Sequence, residues 1–202
     1  MLEGALMAEA QQLTVEDVDV VDVLIAQHSL IRDLFAEVKA FRGEEQQQAF
    51  YRLRHMLAVH ETAEEEIVHP AARRVLAGGN ELVDDRLAEE NEAKDMLSQL
   101  EKLRLGEPDF LELLDRLRRA VLAHARSEER YEFMQLREKT DPSALRFMAG
   151  AVKAAEAVAP THPHPGVESA AANLMLGPLA AIVDRVKDAV RGTGAASDDP
   201  QS

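Results

Sequence analysis

Cysteine and tryptophan are both absent from this chain of 202 residues. Disulfides, thiolate metal sites and cysteine nucleophiles are thereby excluded. The absence suits a reducing cytoplasm, and the chain is read as cytoplasmic. Aromatic residues amount to 4% of the sequence, too few for strand-rich packing. Glycine and proline are scarce, at 10 and 8, whereas 46% of the residues are hydrophobic. That balance favours an all-α protein. Basic residues are also in deficit, 23 against 37 acidic ones, for a formal charge of −14. Binding to nucleic acid needs clustered basic surface that displaces counterions, so no nucleic-acid partner is expected. No apolar run approaches the roughly 20 residues that cross a bilayer. The opening MLEGALMAEAQQ lacks the basic-then-apolar succession of a signal peptide. The expectation is a soluble protein without a membrane partner.

Helical periodicity and breakers divide what is present. Residues 1–14 read as an N-terminal segment and residues 15–141 as a four-helix bundle. The first helix runs from about Val15 to Phe41, with Thr14 as N-cap and Gly43 as its stop. The second runs from Glu44 to Leu76 and ends at Gly78-Gly79, with Pro70 expected to kink or locally break it. The third spans Asn80 to Leu105, before Gly106 and Pro108. Asp109 is read as the cap of the fourth, which lasts to Lys139. Such short connections favour antiparallel neighbours and an up-down topology. Residues 142–191 read as a C-terminal helical extension, with one helix over Ser143 to Val158 and another over Val167 to Arg191. Between them lies a break containing His162-Pro163-His164, read as a connector. Residues 192–202 read as a small, polar, disordered tail.

The chemistry lies in a pattern that occurs twice, 64 residues apart: His60-x-x-x-Glu64 and His124-x-x-x-Glu128. Residues four apart share one helix face, about 40° from each other. Both faces are otherwise apolar, with Leu53, Met56, Leu57, Ile67 and Ala71 around His60. Leu113, Leu117, Ala120, Val121 and Tyr131 surround His124, so Tyr131 is expected to project inward. Helices one and three align when His28 is set against Glu90, as in a duplicated hairpin. His28 falls in a stripe with Val21, Leu24, Ile31 and Phe35. Glu90 falls within about 20° of Leu97, whereas Asn91 lies about 120° away. His55 and His69 point about 140° and 180° from their own stripe, which places them at the surface or a helix end.

Each of four helices therefore aims a possible metal ligand inward: His28, His60 with Glu64, Glu90, and His124 with Glu128. Burying even one uncompensated carboxylate costs several kcal/mol. Two cations offset that charge and take the imidazoles as neutral nitrogen donors. Three imidazoles and three carboxylates fall short of the roughly twelve positions of two six-coordinate ions, so some positions stay open to a small molecule. The competing reading is a buried ion network in which Arg32 and Lys94 neutralise the glutamates.

These motifs resemble the hemerythrin-like, HHE-type cation-binding bundles. That family places an isolated His on helix one, HxxxE on helix two, His on helix three, and HxxxE or HxxxD on helix four. His28, His60 with Glu64, and His124 with Glu128 match, and the run from Glu64-Glu65 to His69-Pro70 looks like the family's helix-two ending. The departure is helix three, where Glu90 and Asn91 stand where the family usually has histidine. A carboxylate there makes the site more anionic and should favour higher oxidation states over reversible dioxygen carriage. The resemblance implies a non-haem di-iron centre interacting with O2, NO or peroxide, in an oxidant-processing role or as an iron or oxygen sensor. Manganese or zinc would also suit the donors. The apolar faces of the C-terminal helices (Leu174, Leu176, Leu179, Ile182, Val186) offer a surface for a protein partner or a second copy.

Overall fold

The computed structural model describes residues 18–158, and every regular element among them is helical. Helix α1 (Val20–Ala40) opens on a capping box. The Asp19 carboxylate accepts from the backbone N–H of Val21 and Asp22, and Asp22 reciprocates to the Asp19 N–H. The start expected at Val15 and the Thr14 cap lie outside the described residues, and the observed cap is Asp19. Helix α2 (Gly43–Ala63) runs through a π turn (Glu64–Val68) into α3 (His69–Val75). Pro70 occupies the first turn of α3. The disturbance expected of it takes the form of the π turn just before, where the His69 N–H reaches back to the Glu64 carbonyl.

The next rod, α4 (Gly79–Leu100), stops sooner than the Leu105 read from sequence. Gly78 turns the chain at φ +71°, and a Cβ on Gly79 would meet the Ala72 carbonyl oxygen at 2.6 Å. The α3–α4 corner therefore requires both glycines. Helix α5 (Pro108–Ser127) is capped by Glu107 and opened by Pro108, so Asp109 stands in the first turn rather than at the cap. A second π turn (Glu128–Phe133) leads to α6 (Met134–Lys139) and then to α7 (Pro142–Val158). The extension helix expected over Val167 to Arg191, His162-Pro163-His164 and the tail lie outside the described residues.

The four rods, α1, α2–α3, α4 and α5–α6, form the up-down bundle, with α1 packed along α2 and α5, and α4 along α3 and α5. Helix α7 closes over α1 and α2. Two large apolar cores result, beside a small cluster of Ala72, Leu76 and Val83. One joins Val20, Leu24, Ile67, Phe133 and Leu136 to Leu145, Met148 and Val152 of α7. The other joins Ile31, Phe35, Leu53, Leu57 and Leu97 to Phe110, Leu114 and Leu117. His28 lies between Leu24 and Ile31, and His60 and Glu64 lie between Leu57 and Ile67, so a polar layer separates the two cores. Among the described residues no helix is long and apolar enough to cross a membrane.

Candidate metal centre

All six residues singled out on the four helices meet in that layer. His28, His60, Glu64 and Glu128 bring ligand atoms within 4.8 Å of one another, and so do Glu64, Glu90, His124 and Glu128. The two groups share Glu64 and Glu128. Glu64 and Glu128 are fully buried, Glu90 is 2% exposed, and Asn91 lies outward in solvent.

Imidazole nitrogens and carboxylates crowd together here, most of the carboxylate oxygens without a hydrogen-bond partner among the described residues. His28 Nε2 lies 3.1 Å from His60 Nε2 and 3.4 Å from Glu128 Oε2. His60 Nε2 is 3.3 Å from Glu64 Oε2, and His124 Nε2 is 3.2 Å from Glu128 Oε1. Yet both oxygens of Glu64, both of Glu128, one of Glu90 and Nε2 of His124 have no hydrogen-bond partner among the described residues. An orphaned buried carboxylate is strongly unfavourable in a folded protein. A convergent set of orphaned oxygens and imidazole nitrogens fits cations.

The far side of each imidazole is anchored. Nδ1 of His28 is 2.8 Å from Glu129 Oε1, Nδ1 of His60 is 2.7 Å from Gln27 Oε1, and Nδ1 of His124 is 2.9 Å from Glu89 Oε2. An acceptor at Nδ1 holds a proton there, so that a neutral ring keeps its Nε2 lone pair for the cluster. The His28 ring also stacks on Phe133, with centroids 5.6 Å apart.

Electrostatics divide the two HxxxE motifs. Burial, with His28 beside it, lowers the His60 pKa to about 3, so that ring is neutral. Burial, reinforced by the charges of Glu128 and Glu90, raises Glu64 well above the carboxylate range. In the second motif burial acts in the same sense, lowering His124 and raising Glu128, but is outweighed. The carboxylates of Glu128 and Glu89 lift His124 to about 9, and the imidazoles of His124 and His28 hold Glu128 below its usual range.

Three residues depart from the helical wheel, and the π turns explain each. A π turn absorbs one extra residue and rotates the side chains beyond it by about 100°. His69, expected at the surface, is 2% exposed, with Nε2 2.8 Å from Glu90 Oε1 and Nδ1 3.2 Å from Glu132 Oε1. Burial alone would lower its pKa, but these two carboxylates raise it to about 10. Glu132, which the wheel did not single out, is fully buried, while Tyr131, expected inward, is 52% exposed. The one sequence signal for these shifts was Pro70, which announces an irregular turn in the first motif. His55 is partly buried and takes no part in the cluster. The rival cation network does not form. Arg32 pairs with exposed Asp33, and Lys94 pairs with Glu65 and Glu61, leaving Glu64 and Glu128 untouched.

A small cavity of about 20 Å³ reaches the cluster between α2, α4 and α5. Leu57, Ala93, Ala120, Val121 and Ala125 supply its apolar wall, and Glu61, Glu89 and His124 its polar one. Burial raises Glu61 to about 8, against the pull of Lys94.

Known proteins place this arrangement. A protein of Nostoc sp. described as a DNA nickase is 29% identical over 146 residues, 68% of this chain and 40% of that protein. An uncharacterised hemerythrin-like protein of Schizosaccharomyces pombe is 25% identical over 134 residues, 65% of this chain and 66% of that one. The chain therefore spans less than two thirds of either relative's length. A crystal structure of a hemerythrin HHE cation binding domain-containing protein from Mycobacterium kansasii has the same fold. Its TM-score is 0.62 at 21% identity, covering 84% of this chain and 99% of that one. Residues 19–136 match the model of the hemerythrin HHE cation binding domain. With its buried cluster of histidines and glutamates, the chain belongs to the hemerythrin HHE cation-binding domain family.

Proposed function

We propose that the chain is a non-haem di-iron protein whose centre binds or reacts with a small oxidant or gas: peroxide, O2 or NO. The observation that carries the reading is the sharing of Glu64 and Glu128 by two ligand groups, with all four of their oxygens orphaned. His28 and His60 would complete one ion's set and His124 and Glu90 the other's, with Glu64 and Glu128 between them. When bound, a pair of iron ions supplies one-electron redox chemistry to a molecule in their open positions.

The protein's own residues support such a ligand. Glu90 spends one oxygen on His69 and keeps the other for the centre. The donor atoms therefore fall further short of two six-coordinate ions than the sequence alone suggests. The cavity, walled by small apolar side chains, has room for a diatomic molecule or peroxide rather than for an organic substrate. At the wall, the Glu61 carboxyl keeps its proton up to about pH 8 and stands ready to donate it to an incoming ligand. The acidic chain offers no basic footprint for a duplex, so the name borne by the Nostoc relative is not extended to this protein.

A second reading, a non-enzymatic iron or oxygen sensor acting through the C-terminal helices, has one observation in its favour. Gln27, which holds His60, is itself hydrogen-bonded to Glu156 of α7. The two readings separate in one series. Under either, the chain reconstituted anaerobically with ferrous iron takes up two ions and, once oxidised, shows near-ultraviolet charge-transfer bands. Gas evolution on adding peroxide, lost in His60→Ala, selects the oxidant-processing reading. Bands without turnover select the sensor. Uptake of less than one ion per chain, with manganese and zinc also rejected, would refute both.

A further inference from the structure

The three oxygens that anchor the imidazoles are not equivalent. Glu129 and Glu89 are carboxylates that only accept, so either rotation of their side chains requires Nδ1 of His28 and His124 to donate. His60 is anchored by an amide, which presents an acceptor at one end and a donor at the other. With the Gln27 carbonyl toward it, His60 donates through Nδ1 and Nε2 keeps a lone pair. With the amide reversed, Nδ1 must accept and the proton moves to Nε2, the nitrogen that faces His28, Glu64 and the cluster. Gln27 is 5% exposed, so solvent does not decide between the two orientations.

Glu156 decides it. The Gln27 amide nitrogen donates to Glu156 Oε1, and an acceptor at that end pins the carbonyl toward His60. Glu156 belongs to α7, beyond the matched residues 19–136. Leu145, Met148 and Val152 seat α7 in the core that it shares with Val20, Val21 and Leu24 of α1. We infer that Glu156 is a positioning residue which sets, through Gln27, the nitrogen of His60 that carries the proton, and so ties the state of the centre to the docking of α7. The tautomer does not depend on the metal reading; only its consequence for ion binding does.

Reversing the end group tests this. Lysine at position 156 donates where glutamate accepts, so Glu156→Lys should flip the amide. Gln27→Glu in that background restores an accept-only group that takes both the lysine and the His60 N–H. The readout is long-range 1H–15N correlation of the His60 ring in the metal-free, full-length chain, alongside ferrous ion titration. Wild type should be protonated on Nδ1. Glu156→Lys should be protonated on Nε2 and bind iron roughly 10–100-fold more weakly, as expected for loss of a ligand-orienting partner. Gln27→Glu/Glu156→Lys should recover both, which a mere packing defect in α7 would not. Glu156→Ala, which removes the acceptor without adding a donor, should show both tautomers. Nδ1 protonation persisting in Glu156→Lys, or a loss that Gln27→Glu does not rescue, overturns the inference. A tautomer switch in a chain that binds no iron would uphold the relay and sink the di-iron reading, so the two failures are distinguishable.

Discussion

The two hairpins of the bundle solve the same geometric problem with opposite chemistry. In each, an HxxxE motif runs into a π turn, and the ninth residue after the histidine swings inward to meet the ligand on the other hairpin. In the second hairpin that residue is Phe133, and it stacks on His28 of α1. In the first it is His69, and it clasps Glu90 of α4. His28 and Glu90 are themselves the aligned positions of helices one and three. An imidazole ligand is thus backed by an apolar ring, and a carboxylate ligand by an imidazolium. The glutamate on helix three is one half of a compensated pair, since an isolated charge there would leave a buried anion with nothing to answer it.

The largest effect expected concerns what the hairpins share. Glu64 and Glu128 are equivalent by position and belong to both ligand groups. Glu64→Ala or Glu128→Ala should reduce iron uptake from two ions to none. His28→Ala and Glu90→Ala, each touching a single group, should leave one ion bound. Metal analysis after anaerobic reconstitution reads the difference, and equal losses in all four variants would break the equivalence. Asn91→Ala should leave uptake unchanged, because that side chain faces solvent.

Next comes the compensated pair. His69→Phe removes the cation from a buried carboxylate and should destabilise the metal-free protein by about 3–5 kcal/mol, the usual penalty for breaking a buried pair from one side. Adding Glu90→His makes the first hairpin chemically like the second and should recover most of that loss in urea unfolding. Additive losses in the double variant would show that His69 and Glu90 merely lie side by side.

These two features mark the boundary of what the residues alone disclosed. The bundle, the inward faces and the six-residue cluster come from a 3.6-residue period, which holds through α1, α4 and the first parts of α2 and α5. The wheel places Glu90 inward and Asn91 outward, as observed, because α4 is regular along its length. The wheel failed after each HxxxE motif. One absorbed residue carried His69 and Glu132 inward and turned Tyr131 out. A π turn has no composition of its own, and only Pro70 hinted at one. The tautomer relay was equally illegible, since it joins Gln27 to Glu156 across 129 positions of sequence.

A smaller, graded effect separates the two motifs by pH in the metal-free protein. His69 and His124 have pKa values raised from 6.5 to about 10 and about 9. The stability they contribute is fully present below about 6.5 and is lost as pH rises through those values. Glu61, raised from 4.5 to about 8, loses its contribution from pH 4.5 upward, and Glu64, raised well above the carboxylate range, acts in the same sense, because the folded state holds protons that the unfolded chain releases. His60 runs the other way. With its pKa lowered to about 3, it stays neutral in the fold while the unfolded chain protonates, so its contribution falls as pH drops below about 6.5. The melting midpoint should therefore fall as pH rises from about 6.5 to 10, and fall on the acid side only below about 4.5, where Glu61 and Glu64 no longer offset His60. His69→Phe/Glu90→His should flatten the alkaline limb and leave the acid limb intact. A midpoint that climbs steadily from pH 6.5 to 10 would contradict these assignments.

The smallest effect belongs to the cations that lie outside the comparison. Had Arg32 neutralised the buried glutamates, removing it would have stranded a charge in the core and cost several kcal/mol. Its guanidinium instead meets Asp33 in solvent, with both side chains more than half exposed. Such pairs contribute between nothing and about 1 kcal/mol and are screened by salt. Arg32→Ala should accordingly move the unfolding free energy by less than about 0.5 kcal/mol and leave iron uptake at two ions. A large destabilisation, or the loss of an ion, would mean that the glutamates are balanced from the surface, and the case for cations at the centre would lose its physical necessity.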